Sequence, residues 1–527
     1  MSAAEIPVVE PLASTVETAE FRRRITSISG HSAVYFAGAL FSAAAGYLLK
    51  IYLARTLGAE ALGLYALGIS VVSVVGLFNA AGLPTAGARF VAEYSSAGDY
   101  VRLGAFLRGG FGILGLGNLL LGAVLLALVP RIAVRFYHAP ALASYSWALA
   151  AIMLLGVVNT FLGQCMAGYR AVARRSMITQ FAGTFITVIA TVVLISLRYG
   201  LSGYFVAQVA SATVVFGLLG VSVWKLTPPA ARRMGGFGNV ERRVVTFSAT
   251  SFGLAIVHFV LAQSDKITLG HYLSAKDVGI YAIAMTMVGL IPLALTSVNQ
   301  IFSPTIAELH AAGNYALLQR LYASLTKWIL ILTLPLALSV IIFSASWMSI
   351  FGPAFRDGAT ALSVGAIGQI FNCVVGSVGL LLLMSDKQTS LMKIQVVNAI
   401  VMVLLNLLLV PRFGMVGAAV AVSIGVAATN LWGLLAVRAK LRLFPYDRSY
   451  FKVGLAMAVT AAVLLAVHKY CGQGSWRVAF AATVIAYVCF FAGVLLLGLG
   501  SEDRMIVRTV RERIWVGGNG ASDERYA

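Results

Sequence analysis

KIYLARTLGAEALGLYAL, residues Lys50–Leu67, returns later in the chain as KITLGHYLSAKDVGIYAI, residues Lys266–Ile283. The two align without gaps at an offset of 216, with Lys, Ile, Leu, Leu, Ala, Gly, Tyr and Ala identical at eight of the eighteen positions. Two more pairs follow in order. Glu93–Tyr100 (EYSSAGDY) matches Glu308–Tyr315 (ELHAAGNY) at an offset of 215, and the turn Arg198–Gly203 (RYGLSG) matches Arg412–Gly417 (RFGMVG) at 214. Apolar composition alone does not put charged, glycine and tyrosine residues in one order at nearly one spacing. The chain therefore carries an internal duplication.

The duplicated unit is built of membrane spans. Of 527 residues, 60% are hydrophobic and 11% charged, against about half apolar and about a quarter charged in ordinary soluble proteins. A chain this apolar cannot stay solvated, so disorder is excluded too. A span takes about 20 mostly apolar residues. That criterion yields fourteen candidates, near 33–56, 61–83, 104–129, 141–165, 176–197, 201–224, 245–268, 278–302, 325–345, 359–384, 391–411, 415–437, 453–468 and 477–498. The ten-residue alternation of a membrane β-barrel is absent. The expected fold is an all-α polytopic membrane protein.

An even number of spans puts both termini on one side. If that side is the cytoplasm, its segments hold 28 of the 39 Lys and Arg, the arrangement that the positive-inside rule favours. The net charge of +20 would suggest nucleic acid in a soluble protein. Here the basic residues sit in short loops between apolar runs and point to anionic lipid, with no nucleic-acid partner expected. The first twenty residues are polar and acidic, without the apolar core of a signal peptide. They read as a disordered tail, followed by Arg22, Arg23 and Arg24.

The repeat unit holds six spans, so its two copies insert in the same orientation, related by a pseudo-twofold axis along the membrane normal. The expected division is a disordered cytoplasmic tail (1–30), an N-terminal lobe (31–224), a cytoplasmic linker (225–244) and a C-terminal lobe (245–440). Spans 13 and 14 (441–500) fall outside the repeat, and a basic cytoplasmic tail (501–527) ends the chain. Two such lobes enclose a central cavity that opens alternately to each side, the architecture of a transporter. No GxxxxGK[ST] phosphate loop and no HExxH occur, and no loop is long enough for a soluble catalytic domain, so neither an enzyme nor a cofactor is expected. Cys165, Cys373, Cys471 and Cys489 are scattered, which suits neither a disulfide framework nor a metal site.

RTLGAEALGLYA (Arg55–Ala66), RFVAEY (Arg89–Tyr94), DKITLG (Asp265–Gly270) with GIYA (Gly279–Ala282), and PRFGMVGAA (Pro411–Ala419) resemble the Wzx-type flippases. These are the polysaccharide transporters of the multidrug/oligosaccharidyl-lipid/polysaccharide superfamily. The resemblance implies translocation of an undecaprenyl-pyrophosphate-linked oligosaccharide from the cytoplasmic to the periplasmic leaflet of a bacterial inner membrane. It also implies ion antiport as the driving force, and the polysaccharide polymerase or glycosyltransferases of the same pathway as partners. Many members have twelve spans, so fourteen is a departure.

Charged residues within spans are costly and mark function. Lys50 and Lys266 are repeat equivalents near the periplasmic ends of spans 1 and 7. They are candidate pyrophosphate ligands; the alternative is that each snorkels to the interface. Asp265 is the one carboxylate clearly inside a span. Ser251, His258 and Asp265, spaced by seven, share a helical face, and a carboxylate with a nearby His suits a proton or sodium site; the alternative is that Asp265, next to Lys266, simply pairs with a neighbouring helix. Asn79 and Asn299, each five residues before a proline (Pro84, Pro304), are candidates for the cavity wall or a hinge, set against ordinary helix-to-helix bonding. Gln369, Asn372, Asn398 and Asn406 read as packing. Arg89 and Glu93 form an i,i+4 pair, and Asp503–Trp515 reads as a basic amphipathic helix on the inner leaflet.

Three other functions compete. A multidrug antiporter of the MATE kind needs an acidic cavity for cationic drugs, and span 1 has no Asp or Glu. A membrane glycosyltransferase or ligase needs carboxylates near a large periplasmic loop, which is lacking. A peptidoglycan-precursor flippase stays close to the favoured reading.

Overall fold

The computed structural model describes residues 12–233, 241–447, 450–471 and 475–496. Within lipid the backbone must satisfy its own hydrogen bonds, which a helix does within one segment. The described residues accordingly form helices and no strand. The first repeat region holds α1 (Leu12–Ala80), α2 (Leu83–Ser96), α3 (Tyr100–Arg135), α4 (Ser146–Gly168), α5 (Val172–Ser176), α6 (Gly183–Ser196) and α7 (Gly200–Leu226). After α8 (Pro229–Arg233) come α9 (Arg242–Tyr272), α10 (Ala275–Val288), α11 (Leu293–Ala311), α12 (Tyr315–Ile342) and α13 (Ser344–Met348). The chain continues through α14 (Ala359–Val375), α15 (Val378–Met384), α16 (Gln388–Leu441), α17 (Tyr450–Cys471) and α18 (Trp476–Leu496). Eleven described helices are long and apolar enough to cross a membrane, or twelve when α10 and the start of α11, bent by 51°, count as one span.

Two of those eleven are interrupted. A straight helix of the length of α16 would reach about 80 Å, far more than the hydrocarbon core of about 30 Å. At Gly414 its backbone leaves helical geometry (φ 57°, ψ −133°). A Cβ on Gly417 would stand 2.3 Å from the Leu409 carbonyl oxygen, and one on Gly425 would touch the Asn398 side chain. Residues so far apart in one helix meet only where the chain doubles back, so α16 is a hairpin with Gly414 at its corner. The α1 helix has a similar interruption at Gly58 (φ 80°, ψ −179°).

The matched sequences take matched conformations. After α2, the Asp99 amide donates to the Tyr94 carbonyl with Gly98 at φ 68°. After α11, the Asn314 amide donates to the Leu309 carbonyl with Gly313 at φ 66°. Both are the helix stop that needs a left-handed residue, which glycine adopts without a steric cost. Elsewhere the structure differs from expectation. The helix α1 already runs from Leu12, through part of the stretch read as a disordered tail, a run that contains helix-forming Ala, Glu and Arg. The basic segment Asp503–Trp515 lies outside the described residues.

By packing, the chain separates into two compact units. One comprises residues up to Lys50, Val71–Pro130 and Ser144–Ala255; the other comprises Ile51–Ser70, Arg131–Ala143 and the chain from Ile256. In the first, Phe90, Phe106, Phe161 and Leu219 centre a buried core. In the second, Ile306, Tyr322, Leu381 and Val437 do so. The helices α17 and α18, outside the repeat, pack on α12 through Leu334, Ala456 and Phe490. Tyr487 donates to the Leu332 carbonyl at 2.8 Å, and Ser339 bonds Thr483 at 2.6 Å.

Candidate functional site

The helices α9 and α10 run antiparallel about a tight turn. Ser274 caps α10 in a reciprocal box with Asp277, the arrangement that satisfies two otherwise orphaned amides. This hairpin sets residue 265 against residue 281. Asp265 is buried, and Tyr281 is fully buried beside it. The Tyr281 hydroxyl donates to Asp265 Oδ2 at 2.8 Å. Oδ1 accepts the Lys266 amide at 2.8 Å and faces the Lys266 ammonium at 3.9 Å. The ammonium itself donates to the Ala262 carbonyl at 2.8 Å and to Gln263 Oε1 at 3.3 Å. A buried carboxylate without partners would carry a large desolvation cost. Here two neutral donors and one cation, all within the hairpin, offset it.

His258 is placed differently. It is exposed, two helical turns from Asp265, a rise of about 10 Å. That is beyond hydrogen-bond reach, and the carboxylate is held by Lys266 and by Tyr281 of the neighbouring helix, the alternative that the sequence left open. The repeat spacing marks Tyr281 through its equivalent Tyr65, but its hydroxyl became legible only once the hairpin was formed. One residue from Asp265, Ser264 accepts from Asn406 Nδ2 at 3.5 Å, and the same nitrogen donates to the Met402 carbonyl at 2.9 Å. The side-chain oxygens of Asn398 and Asn406 are buried without a hydrogen-bond partner. Asn406, read from sequence as packing, does join two helices through its nitrogen, while the carbonyls of both residues are buried acceptors without a protein partner, which calls for an explanation.

Lys50 ends the first part of one unit. Its side chain is exposed, with the ammonium 5.9 Å from the Tyr47 ring centre, in the range of a cation–π contact. Asn79 is buried and donates to Asn118 Oδ1, and Asn118 in turn donates to the Leu154 carbonyl at 3.3 Å. Asn299 accepts from the Ser377 hydroxyl. Both asparagines thus join neighbouring helices. Their prolines act differently: Pro84 opens α2, just after the left-handed Ala81 and Gly82, whereas Pro304 lies inside α11.

Arg89 and Glu93 do not pair. Glu93 binds Arg243, and the Arg89 guanidinium lies 4.6 Å from the Phe247 ring centre. Arg102 meets Glu241 at 2.8 Å, and Tyr94 donates to Glu241 at 3.0 Å. The start of α9 is thereby tied to α2 and α3. Burial, and then the bond to Glu241, push the Tyr94 hydroxyl up to about 12. Lys327 on α12, a charge inside the span near 325–345, is buried, and Met177–Ala182 forms a π-helical turn for which the sequence carries no signal, a distortion frequent at functional sites.

The family model described as polysaccharide biosynthesis protein matches residues 31–310. The probable flippase AglR of Haloferax volcanii is 22% identical over 497 residues, covering 90% of this chain and 96% of that protein. The probable low-salt glycan biosynthesis flippase Agl15 of the same organism is 23% identical over 403 residues, 75% of this chain and 80% of that protein. Among solved structures, the lipid II flippase MurJ in an inward closed conformation superposes with a TM-score of 0.70 at 14% identity, over 87% of this chain and 98% of MurJ. An inward-facing multidrug resistance MATE family transporter superposes with a TM-score of 0.58 at 16% identity, over 75% of this chain and 94% of that one. These two likenesses show the fold.

Proposed function

The chain belongs to the family of polysaccharide biosynthesis proteins, and on that premise we propose that it is a flippase working by alternating access. Its cargo is a polyprenyl-pyrophosphate-linked oligosaccharide, moved across the cytoplasmic membrane for cell-surface polysaccharide synthesis. In this reading, α1 and α16 each supply two spans, so fourteen spans form two six-span lobes and an added pair, with both termini cytoplasmic.

The observation that carries the anionic cargo is the charge inventory of the spans. The repeat-equivalent cations Lys50 and Lys266 recur in both copies, while Asp265, the carboxylate within a span, is held by Tyr281 and Lys266. Lys50 and Lys266 engage the pyrophosphate, and Asn79 and Asn299 contribute polar contacts at the hinges. Asp265, with His258 on the same helix, takes up the coupling proton or sodium ion. The open carbonyl of Asn406, whose nitrogen reaches Ser264 beside Asp265, supports a cation near that place. Pathway polymerase or glycosyltransferases are the expected partners.

Transport of a fluorescent polyprenyl-pyrophosphate oligosaccharide in vesicles tests this reading. Lys→Ala at both Lys50 and Lys266 should abolish transport at unchanged membrane abundance. Arg at both should keep part of it, since the charge stays while the geometry changes. Full transport by the double alanine variant overturns the assignment. The fold shared with MurJ favours a second reading, a peptidoglycan-precursor flippase, which competition between the two lipid-linked cargoes distinguishes. A cationic-drug antiporter is disfavoured, because span 1 carries no acidic residue.

A further inference from the structure

Residues 51–70, 131–143 and the chain from Ile256 form a single compact unit, so part of the first repeat is packed with the second. Within that unit the contacts are reciprocal. A Cβ on Gly63 would fall 1.6 Å from the Ala275 carbonyl oxygen, and a Cβ on Gly279 would fall 2.0 Å from the Ala59 carbonyl oxygen. Gly63 and Gly279 are repeat equivalents, and so are Ala59 and Ala275, each pair at the offset of 216. The two helices therefore cross on the pseudo-twofold axis itself, backbone against backbone. Only glycine fits there.

A second reciprocal pair flanks the crossing. The Arg55 guanidinium donates to the Ile350 carbonyl at 2.8 Å. His271, the repeat equivalent of Arg55, donates through Nδ1 to the Phe136 carbonyl at 3.0 Å and stacks on the Phe136 ring at 4.6 Å. Phe136 and Ile350 are related by the offset of 214 that also relates the two RxG turns. Each copy thus reaches a carbonyl in the loop of the other. Beneath the crossing, Ser70 is fully buried and bonds the Tyr137 hydroxyl at 3.0 Å.

We infer that this crossing is the extracytoplasmic gate of the transporter, that Gly63 and Gly279 set how far it can close, and that Arg55 and His271 are its two exchanged latches. The inference rests on the alternating-access reading above. In the outward-open state the crossing parts, both latch bonds break, and Ser70 meets water. A shared axis explains why the glycines recur while the latches do not: backbone contact admits one residue type, but several side chains can reach a carbonyl.

The test uses the full chain in cells, with Cys165, Cys373, Cys471 and Cys489 replaced by Ala and a Ser70→Cys reporter. A membrane-impermeant maleimide is added from outside. Labelling should rise roughly tenfold in Gly63→Ala or Gly279→Ala, and the double variant should add little, because either methyl group alone parts the same contact. Gly46→Ala, whose added Cβ would meet no atom within 4 Å, should label as the parent does. If the glycine variants fail to reach the membrane, Arg55→Ala and His271→Ala remove a bond without adding bulk and should each raise labelling roughly threefold. Parental labelling in all variants that reach the membrane overturns the gate, as does labelling from the cytoplasmic side alone. The readout needs no cargo, so it is separate from the transport assay: failed transport with gated labelling sinks the cargo assignment and leaves the gate.

Discussion

The two copies of the repeat agree in backbone and differ in charge. At the position where the second copy has Asp265, the first has Leu49, and both side chains are buried. At the next shared landmark both copies have tyrosine, Tyr65 and Tyr281. The paired glycines at 98 and 313 take nearly the same left-handed geometry, and those at 63 and 279 the same close approach. Residues that shape the chain are thus kept in duplicate, while the buried acid Asp265 is present in one copy alone. A duplicated scaffold makes two states nearly alike in packing. A single carboxylate can then make them unequal, since an ion shifts an equilibrium only through different affinity for the two states.

The largest effect should come from erasing that difference. Asp265→Leu gives the second copy the first copy's residue, and vesicle transport should lose its dependence on an imposed proton or sodium gradient. Unchanged gradient dependence would remove Asp265 from coupling. The reverse exchange, Leu49→Asp, buries a new carboxylate and should lower stability by about 3–5 kcal/mol, read as loss of membrane-inserted protein; normal abundance would mean that water reaches position 49.

A smaller effect separates the two hairpin turns. At Gly417 an added Cβ meets the Leu409 backbone at 2.3 Å, whereas at Gly203 it meets the side-chain carbons of Leu194 and Tyr199 at 3.0 Å. Gly417→Ala should cost about 1–3 kcal/mol, visible as a lower melting temperature in detergent, and Gly203→Ala distinctly less. Equal shifts would show that both turns relax alike. The smallest effect belongs to the exposed pair of Glu93 and Arg243. Glu93→Gln should change stability by less than about 1 kcal/mol, and the change should fade in high salt; a salt-independent loss would point to packing.

Much of this is legible in the amino-acid sequence alone. Long apolar runs can satisfy their backbone in lipid only as helices, so helical spans follow from composition. The duplication was visible because glycine, tyrosine and charge recur at one spacing against an apolar background. Lys50, Lys266 and Asp265 stood out because a charge in such a run is expensive. His258 was linked to Asp265 by spacing along one helix, and Arg89 to Glu93 in the same way. In both cases the true partner, Tyr281 or Arg243, came from another helix.

What only the tertiary structure decided lies in those meetings between helices. A period of seven states which residues share a face, but not what that face meets. Which buried oxygens stay open, as at Asn398 and Asn406, depends on every neighbour at once. The exchange of Arg55 and His271 across the repeat follows from where two loops come to lie, and no local pattern encodes that. The sequence determined the helices and their duplication through burial of the backbone in lipid, and the packed structure alone determined which side chains complete one another.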